Sequence, residues 1–273
     1  MNFYIPTAET NGPVENVMSI ATRIKGGFAV SAFVLACIFA VPAAAGQADV
    51  AVAANFTDAA REVADAFESE TGHRAVLSFG STGQLYIQIA QGAPFDIFLA
   101  ADTARPERAV EEGFGVPGTS FTYAVGKLLL WSANPDVVNG DETLRAGEFS
   151  RLAIANPETA PYGAAAVEAM KALGVYEALQ PKIVKGNNIA QAYQFVGTGN
   201  AELGFIAFSQ VAGSDEGSRW EVPAALHAPI RQDAVLLKRG AGKAAATAFL
   251  DFLKGPAAQA IIAKYGYGVE SAN

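Results

Sequence analysis

The chain has 273 residues, 51% of them hydrophobic and 17% charged, with a formal net charge of -8. That composition is globular, excludes a disordered polymer, and allows one large or two ordinary domains. Glu9 and Glu15 cancel Arg23 and Lys25, so the whole negative charge lies beyond residue 48. With no basic field to gather polyanions, nucleic acid is not expected as a partner.

Arg23 and Lys25 precede an uncharged, mostly apolar stretch, 26–48, which ends in Pro42-Ala43-Ala44-Ala45-Gly46-Gln47-Ala48. Small residues at this spacing suit a signal peptidase. Residues 1–48 therefore read as a signal peptide cleaved after Ala45 or Ala48, with Met18 as the expected start and the periplasm as destination. The helix-breaking Pro42 followed by three alanines argues against a retained anchor. Cys37, the only cysteine, lies inside the leader. Its loss leaves a mature chain without disulfides, thiol catalysis or cysteine metal sites. Val34-Leu35-Ala36 before it is a poor lipid-attachment motif.

From Asp49 onward, short apolar runs alternate with longer amphipathic ones. Strands are predicted over 49–53, 74–78 and 97–100, each followed by a helix, over 55–67, 82–91 and 105–112. Successive βα units imply a parallel sheet. The dense apolar section 121–132, broken by Gly126-Lys127, reads as a strand pair or a strand passing between lobes, with Gly126 as hinge. A second set follows: strands 152–155, 183–185 and 203–208, helices 162–173 and 189–196. Residues 223–229 read as a return connection and 230–237 as a strand re-entering the first lobe. Helices 243–254 and 256–265 close the chain, divided by Gly255-Pro256.

The expected architecture is α/β with two lobes, each a mixed sheet flanked by helices, and a ligand cleft between them. The first lobe is discontinuous, 49–125 and 229–273, and the second is 126–228. Ligands of open α/β sheets bind at the carboxyl ends of strands, so strand-to-helix junctions of both lobes would face the cleft.

Four such junctions stand out: Ala54-Asn55-Phe56-Thr57, Ser81-Thr82-Gly83, Pro161-Tyr162-Gly163 and Asn187-Asn188-Ile189. Each offers unpaired N–H groups at a helix start, a ready seat for an anion. Pro161 suits the first helical turn and leaves the N–H of Tyr162 outward. None of the four contains Lys or Arg. Neutral donors alone suit a fully deprotonated tetrahedral oxyanion, which has acceptors at every corner, so molybdate, tungstate or sulfate is favoured over protonated phosphate. Asp58 reads as a first-turn carboxylate stabilising its own helix. Ser81 is open to a second use, as a plain helix cap.

Enzyme motifs are absent. Gly80-Ser81-Thr82-Gly83 is not a nucleophile elbow, and a triad would have to use His73 or His227, the only histidines. No phosphate-binding or dinucleotide glycine fingerprint follows a strand. Asp96 and Asp102 flank a buried-looking strand without a third ligand, which favours loop capping over a metal. Tyr265 and Tyr267 read as packing residues.

The run Gly92-Ala93-Pro94-Phe95-Asp96-Ile97-Phe98-Leu99-Ala100-Ala101-Asp102, the ending Leu253-Lys254-Gly255-Pro256 with Lys264-Tyr265-Gly266-Tyr267, and the four junctions together resemble the periplasmic molybdate-binding proteins of ABC transporters. The similarity covers Asp49 to the C-terminus. It implies the two-lobed periplasmic binding fold and capture of molybdate or tungstate without a cofactor. It also implies delivery to a membrane permease by a monomer that catalyses nothing. By resemblance the oxyanion contacts fall on Asn55, Thr82, Tyr162 and Ile189, the last two through backbone N–H. A tyrosine donor that some relatives carry late in a strand is missing here, because Leu203-Gly204-Phe205-Ile206-Ala207 ends in Ala. The Asn55 amide is the expected substitute. The alternatives are a binding protein for another oxyanion such as sulfate, or a periplasmic hydrolase or transferase using the same cleft.

Overall fold

The structure, a computed structural model, describes residues 45–268. The expectations for Met18, Arg23, Lys25 and Cys37 lie outside the described residues. Among those described, no helix is long and apolar enough to cross a membrane.

The chain runs β1 Gln47–Ala53, α1 Thr57–Thr71, β2 Arg74–Gly80, α2 Thr82–Ala90, β3 Ile97–Leu99, α3 Ala104–Glu111 and β4 Phe121–Gly126. It continues with β5 Leu128–Ser132, α4 Glu142–Ala146, β6 Leu152–Ala155, α5 Pro161–Ala172, α6 Tyr176–Leu179, β7 Ile183–Gly186, α7 Ile189–Gly197 and β8 Leu203–Ala207. It ends with β9 Ser218–Glu221, β10 Ile230–Leu236, α8 Ala244–Lys254 and α9 Pro256–Lys264. A three-residue 3-10 turn, Ala54–Phe56, leads into α1.

The strands form two five-stranded mixed sheets, ordered β2-β1-β3-β10-β4 and β7-β6-β8-β5-β9. In the first, β1 pairs parallel with β2 and β3, whereas β10 runs antiparallel to β3 and β4. In the second, β6 is parallel to β7 and β8, and β5 is antiparallel to β8 and β9. The section 121–132 is thus two strands in different sheets, divided at Lys127, and the chain returns to the first sheet through β10.

Alternation explains how the first sheet is covered on both faces. Val50 and Val52 face one way, onto Phe56 just before α1, Val63 and Phe67 of α1, Phe249 and Leu253 of α8 and Ile262 of α9. Ala51 between them faces the other way, onto Leu85, Tyr86 and Ile89 of α2. Phe67 meets Phe249 edge to face at 5.1 Å. Burying each such side chain contributes about 1.5 to 3 kcal/mol. The second sheet buries Leu129, Ile154, Phe205 and Ile206 with Ala166, Met170 and Ala192 in one continuous core. Three elements, α4, α6 and β9, carry no periodic signal in the sequence. They are four or five residues long, and β9, Ser-Arg-Trp-Glu, has only its serine buried.

Candidate functional site

The four helix starts converge. Asn55, Ser81, Thr82, Tyr162, Asn188 and Ile189 line one small cavity between the carboxyl ends of β1 and β2 in the first sheet and the starts of α5 and α7 beside the second. No Lys or Arg lines it. The space open to the centre of a water-sized atom is about 10 Å³, room for one such group. A larger ion therefore enters only when the two sides part.

Each helix start commits some N–H groups and leaves others. In α5 the N–H groups of Gly163 and Ala164 both return to Ala160 O, at 2.9 and 3.1 Å. Pro161 has none, so the N–H of Tyr162 remains at the helix end. In α7 the N–H of Gln191 donates to Asn188 Oδ1 at 3.0 Å, and that of Asn187 to Gln191 Oε1 at 2.6 Å. The N–H of Ile189 has no acceptor one turn back. In α2 the N–H of Gly83 crosses to Thr159 O at 2.8 Å. Gly83 thus serves a close approach to Thr159, not to an ion: a Cβ here would stand 3.0 Å from Thr159 Cα.

The side chains divide differently from expectation. Thr82 Oγ1 accepts from the N–H of Ala101 at 3.0 Å, which leaves its own proton for the cavity. Ser81 occupies the N-cap position of α2 but makes no capping bond, and its Oγ is buried with no partner. It is not a helix cap. The buried hydroxyl of Thr159 is also unpartnered.

Asn55 lines the cavity, yet both amide hydrogens are used within the protein, donating to Gln232 Oε1 at 2.8 Å and to the Tyr267 hydroxyl oxygen, Oη, at 3.0 Å. They are therefore not free for a ligand, contrary to the expectation that the Asn55 amide substitutes for the donor missing at Ala207. Ala207 itself donates its N–H to Gln210 Oε1 at 2.9 Å. Tyr267 is no mere packing residue. Its hydroxyl and that of Ser209 both donate to Asn55 O, at 2.7 and 2.8 Å. The Tyr123 hydroxyl donates to Gln232 Oε1 at 3.1 Å, and Gln232 Nε2 donates to the Tyr162 phenol oxygen, Oη, at 3.3 Å. Burial, with the neighbouring tyrosines adding to it, holds the Tyr123 and Tyr162 phenols far above their ordinary pKa. Burial also raises that of Tyr267. This network was missed in the sequence, although Gln232-Asp233 inside the apolar run of β10 was a visible signal.

A neighbouring cavity of about 340 Å³ shares Ala101 and Pro161 with the first but is charged, with Asp102, Arg105, Glu168 and Arg231 in its wall. Arg105 pairs with Asp102 and reaches Glu158 O at 3.1 Å across the cleft. Asp102 also accepts the N–H of Arg105 at 3.0 Å and so caps α3. Asp96 is fully buried and accepts from the Asp49 N–H, Arg239 and Lys243. Among the described residues no group of three or more His, Cys, Asp or Glu is arranged to hold a metal. His73 accepts from the Gly46 N–H at 2.9 Å, and His227 is half-buried, with Nδ1 2.8 Å from Ala228 O.

The sequence profile of bacterial extracellular solute-binding proteins matches residues 48–268. The chain belongs to this family. Within it the chain is 56% identical to the molybdate-binding protein ModA of Rhodobacter capsulatus, over 88% of this chain and 95% of that protein. To ModA of Azotobacter vinelandii it is 52% identical, over 89% and 96%. The solved periplasmic molybdate-binding protein of A. vinelandii superposes with a TM-score of 0.79 at 41% identity, over 82% of this chain and 100% of that one. The chain is accordingly a solute-binding protein with a periplasmic-binding fold and not an enzyme, which sets aside the hydrolase and transferase alternative.

Proposed function

We propose that the protein captures molybdate or tungstate outside the cytoplasmic membrane and hands it to an ABC permease, acting as a monomer and without a cofactor. The observation that carries the substrate is the uncharged wall of the small cavity, which combines helix starts and hydroxyls with no Lys or Arg. A dianion with four acceptor oxygens matches that donor set, and its charge is met by partial positive charge at helix N-termini. The identity to two molybdate-binding relatives supports the same reading.

Thr82 contributes its hydroxyl and N–H, Tyr162 and Ile189 their N–H groups, and Asn55 the backbone of its helix start. The unpartnered Ser81 hydroxyl is a further donor. The lobes are 49–125 with 229–273, and 126–228, and they part to admit the ion and close on it. The leader is removed after Ala45, because cleavage after Ala48 would delete two residues of β1, including the fully buried Ala48.

Calorimetric titration of the mature protein with molybdate, tungstate, sulfate and phosphate tests this. Strong heat with the first two and little with the others is expected. No heat with molybdate and tungstate, or equal affinity for sulfate, would overturn the assignment.

A further inference from the structure

Tyr162 does two separable things. Its backbone N–H stands at the start of α5, beside the cavity, while its phenol leaves that helix and enters the buried interior beside β4 and β10 of the other sheet. There the hydroxyl rests against Gly126, at the end of β4: a Cβ built on Gly126 would lie 2.0 Å from Tyr162 Oη and 2.9 Å from Cζ. Real Cβ atoms do not approach so closely, so only glycine leaves the space. The other wall is Gln232, wholly buried, at the point where the β10–β4 register shifts. Such a bulge re-aims side chains. The Gln232 amide donates to Tyr162 at 3.3 Å and accepts from Asn55 at 2.8 Å.

We propose that Gly126 and Gln232 form a socket for the Tyr162 phenol, and that seating of the phenol is what couples oxyanion capture to closure of the cleft. The inference rests on the proposed oxyanion site and goes beyond it. Gln232 and Gly126 touch no ligand and act as positioning residues. When the phenol is seated, the Tyr162 N–H is held at the cavity, and Gln232 fixes Asn55 in the opposite wall. When it is withdrawn, both walls lose their registration together. Burial keeps the phenol protonated, so the socket never has to accommodate a phenolate.

The test is a double-mutant cycle of Gly126→Ala and Tyr162→Ala, read by molybdate dissociation constants and by the radius of gyration of unliganded protein from small-angle scattering. Tyr162→Ala keeps the backbone N–H and removes only the occupant. Gly126→Ala is expected to weaken binding at least about tenfold when Tyr162 is present and several-fold less when it is alanine, where only the end of the Gln232 side chain, 2.8 Å from the added Cβ, has to give way, the non-additivity of groups in contact. It should enlarge the unliganded particle only in the former case. A similar penalty in both backgrounds would mark Gly126 as a backbone requirement of β4 and overturn the socket, as would no penalty in either. If native protein gives no heat with molybdate, the substrate assignment fails. The scattering arm then decides the socket alone, and equal radii for native and Gly126→Ala protein would overturn it.

Discussion

α2 and α7 begin in similar ways and are used in opposite ones. Each starts after a strand, with a small polar residue at the N-cap: Ser81 for α2 and Asn188 for α7. Asn188 turns its side chain onto its own helix and accepts from Gln191, whereas Ser81 leaves its hydroxyl buried and unpartnered. Thr82 continues the pattern, accepting from Ala101 and keeping a proton to donate. The first sheet therefore adds side-chain hydroxyls to the cavity, whereas the second offers only backbone N–H groups, at the Pro161 start of α5 and the Asn188-capped start of α7. A side-chain donor is removed by a point substitution, while a backbone donor is removed only by moving the helix.

Moving the helix should have the largest effect. A Cβ on Gly186, at the end of β7, would stand 2.8 Å from Ala192 N and 3.0 Å from Asn188 O. Gly186→Ala therefore pushes the start of α7 off the cavity. It should cost about 1 to 3 kcal/mol of stability, as overpacking does. A displacement near 1 Å costs on the order of a hundredfold where geometry decides, so molybdate affinity should fall by about that factor. Thermal unfolding and calorimetry check both. Full affinity in this variant would show that α7 contributes nothing to the site.

The caps give a crossed test with smaller effects. Asn188→Ala should lower stability by about 1 kcal/mol, the usual cost of a lost N-cap. Ser81→Ala and Thr82→Ala should each weaken molybdate binding by about 1 to 3 kcal/mol, the cost of leaving a charged acceptor short of one donor. Ser81→Ala should leave the unfolding midpoint of unliganded protein nearly where it was, since no native bond is lost. A destabilised Ser81→Ala protein with native affinity would reverse the comparison.

The helix starts were legible because they are local events: Pro161, Asn188 and the Ser81-Thr82 pair mark helix entry within a few residues. The alternation of Val50, Ala51 and Val52 likewise reports β1 without help from the rest of the chain. Hydrogen bonds between distant residues left no such trace. Asn55 looks like a donor to the ion from its neighbours alone, because its partners, Gln232 and Tyr267, lie 177 and 212 residues away. At Gly83 what comes close is the backbone of Thr159, far away in the chain, and no local pattern announces it. Ser81 is ambiguous in the sequence because capping and ligand donation call for the same residue in the same place. Only the absence of a capping bond separates them.

The smallest expected effect concerns the far half of α2, which is tied down by a titratable clasp. Tyr86 donates to Glu112, and Arg108 pairs with the same carboxylate at 2.7 Å. Burial, reinforced by that hydrogen bond, pushes the Tyr86 phenol up to about 12, against about 10 in an unfolded chain. A folded-state pKa above the unfolded one means that the folded protein holds the proton more tightly. The stabilisation is therefore complete below pH 10 and is lost as pH rises through about 12. Because Arg108 and Glu112 are exposed, screening should keep the loss below about 1 kcal/mol. Unfolding midpoints measured from pH 9 to 12 should fall more steeply for native protein than for Tyr86→Phe. Parallel curves would show that the clasp adds nothing to the first-sheet side. A steeper fall, accompanied by loss of molybdate binding, would show that holding the far end of α2 also holds Thr82 in place.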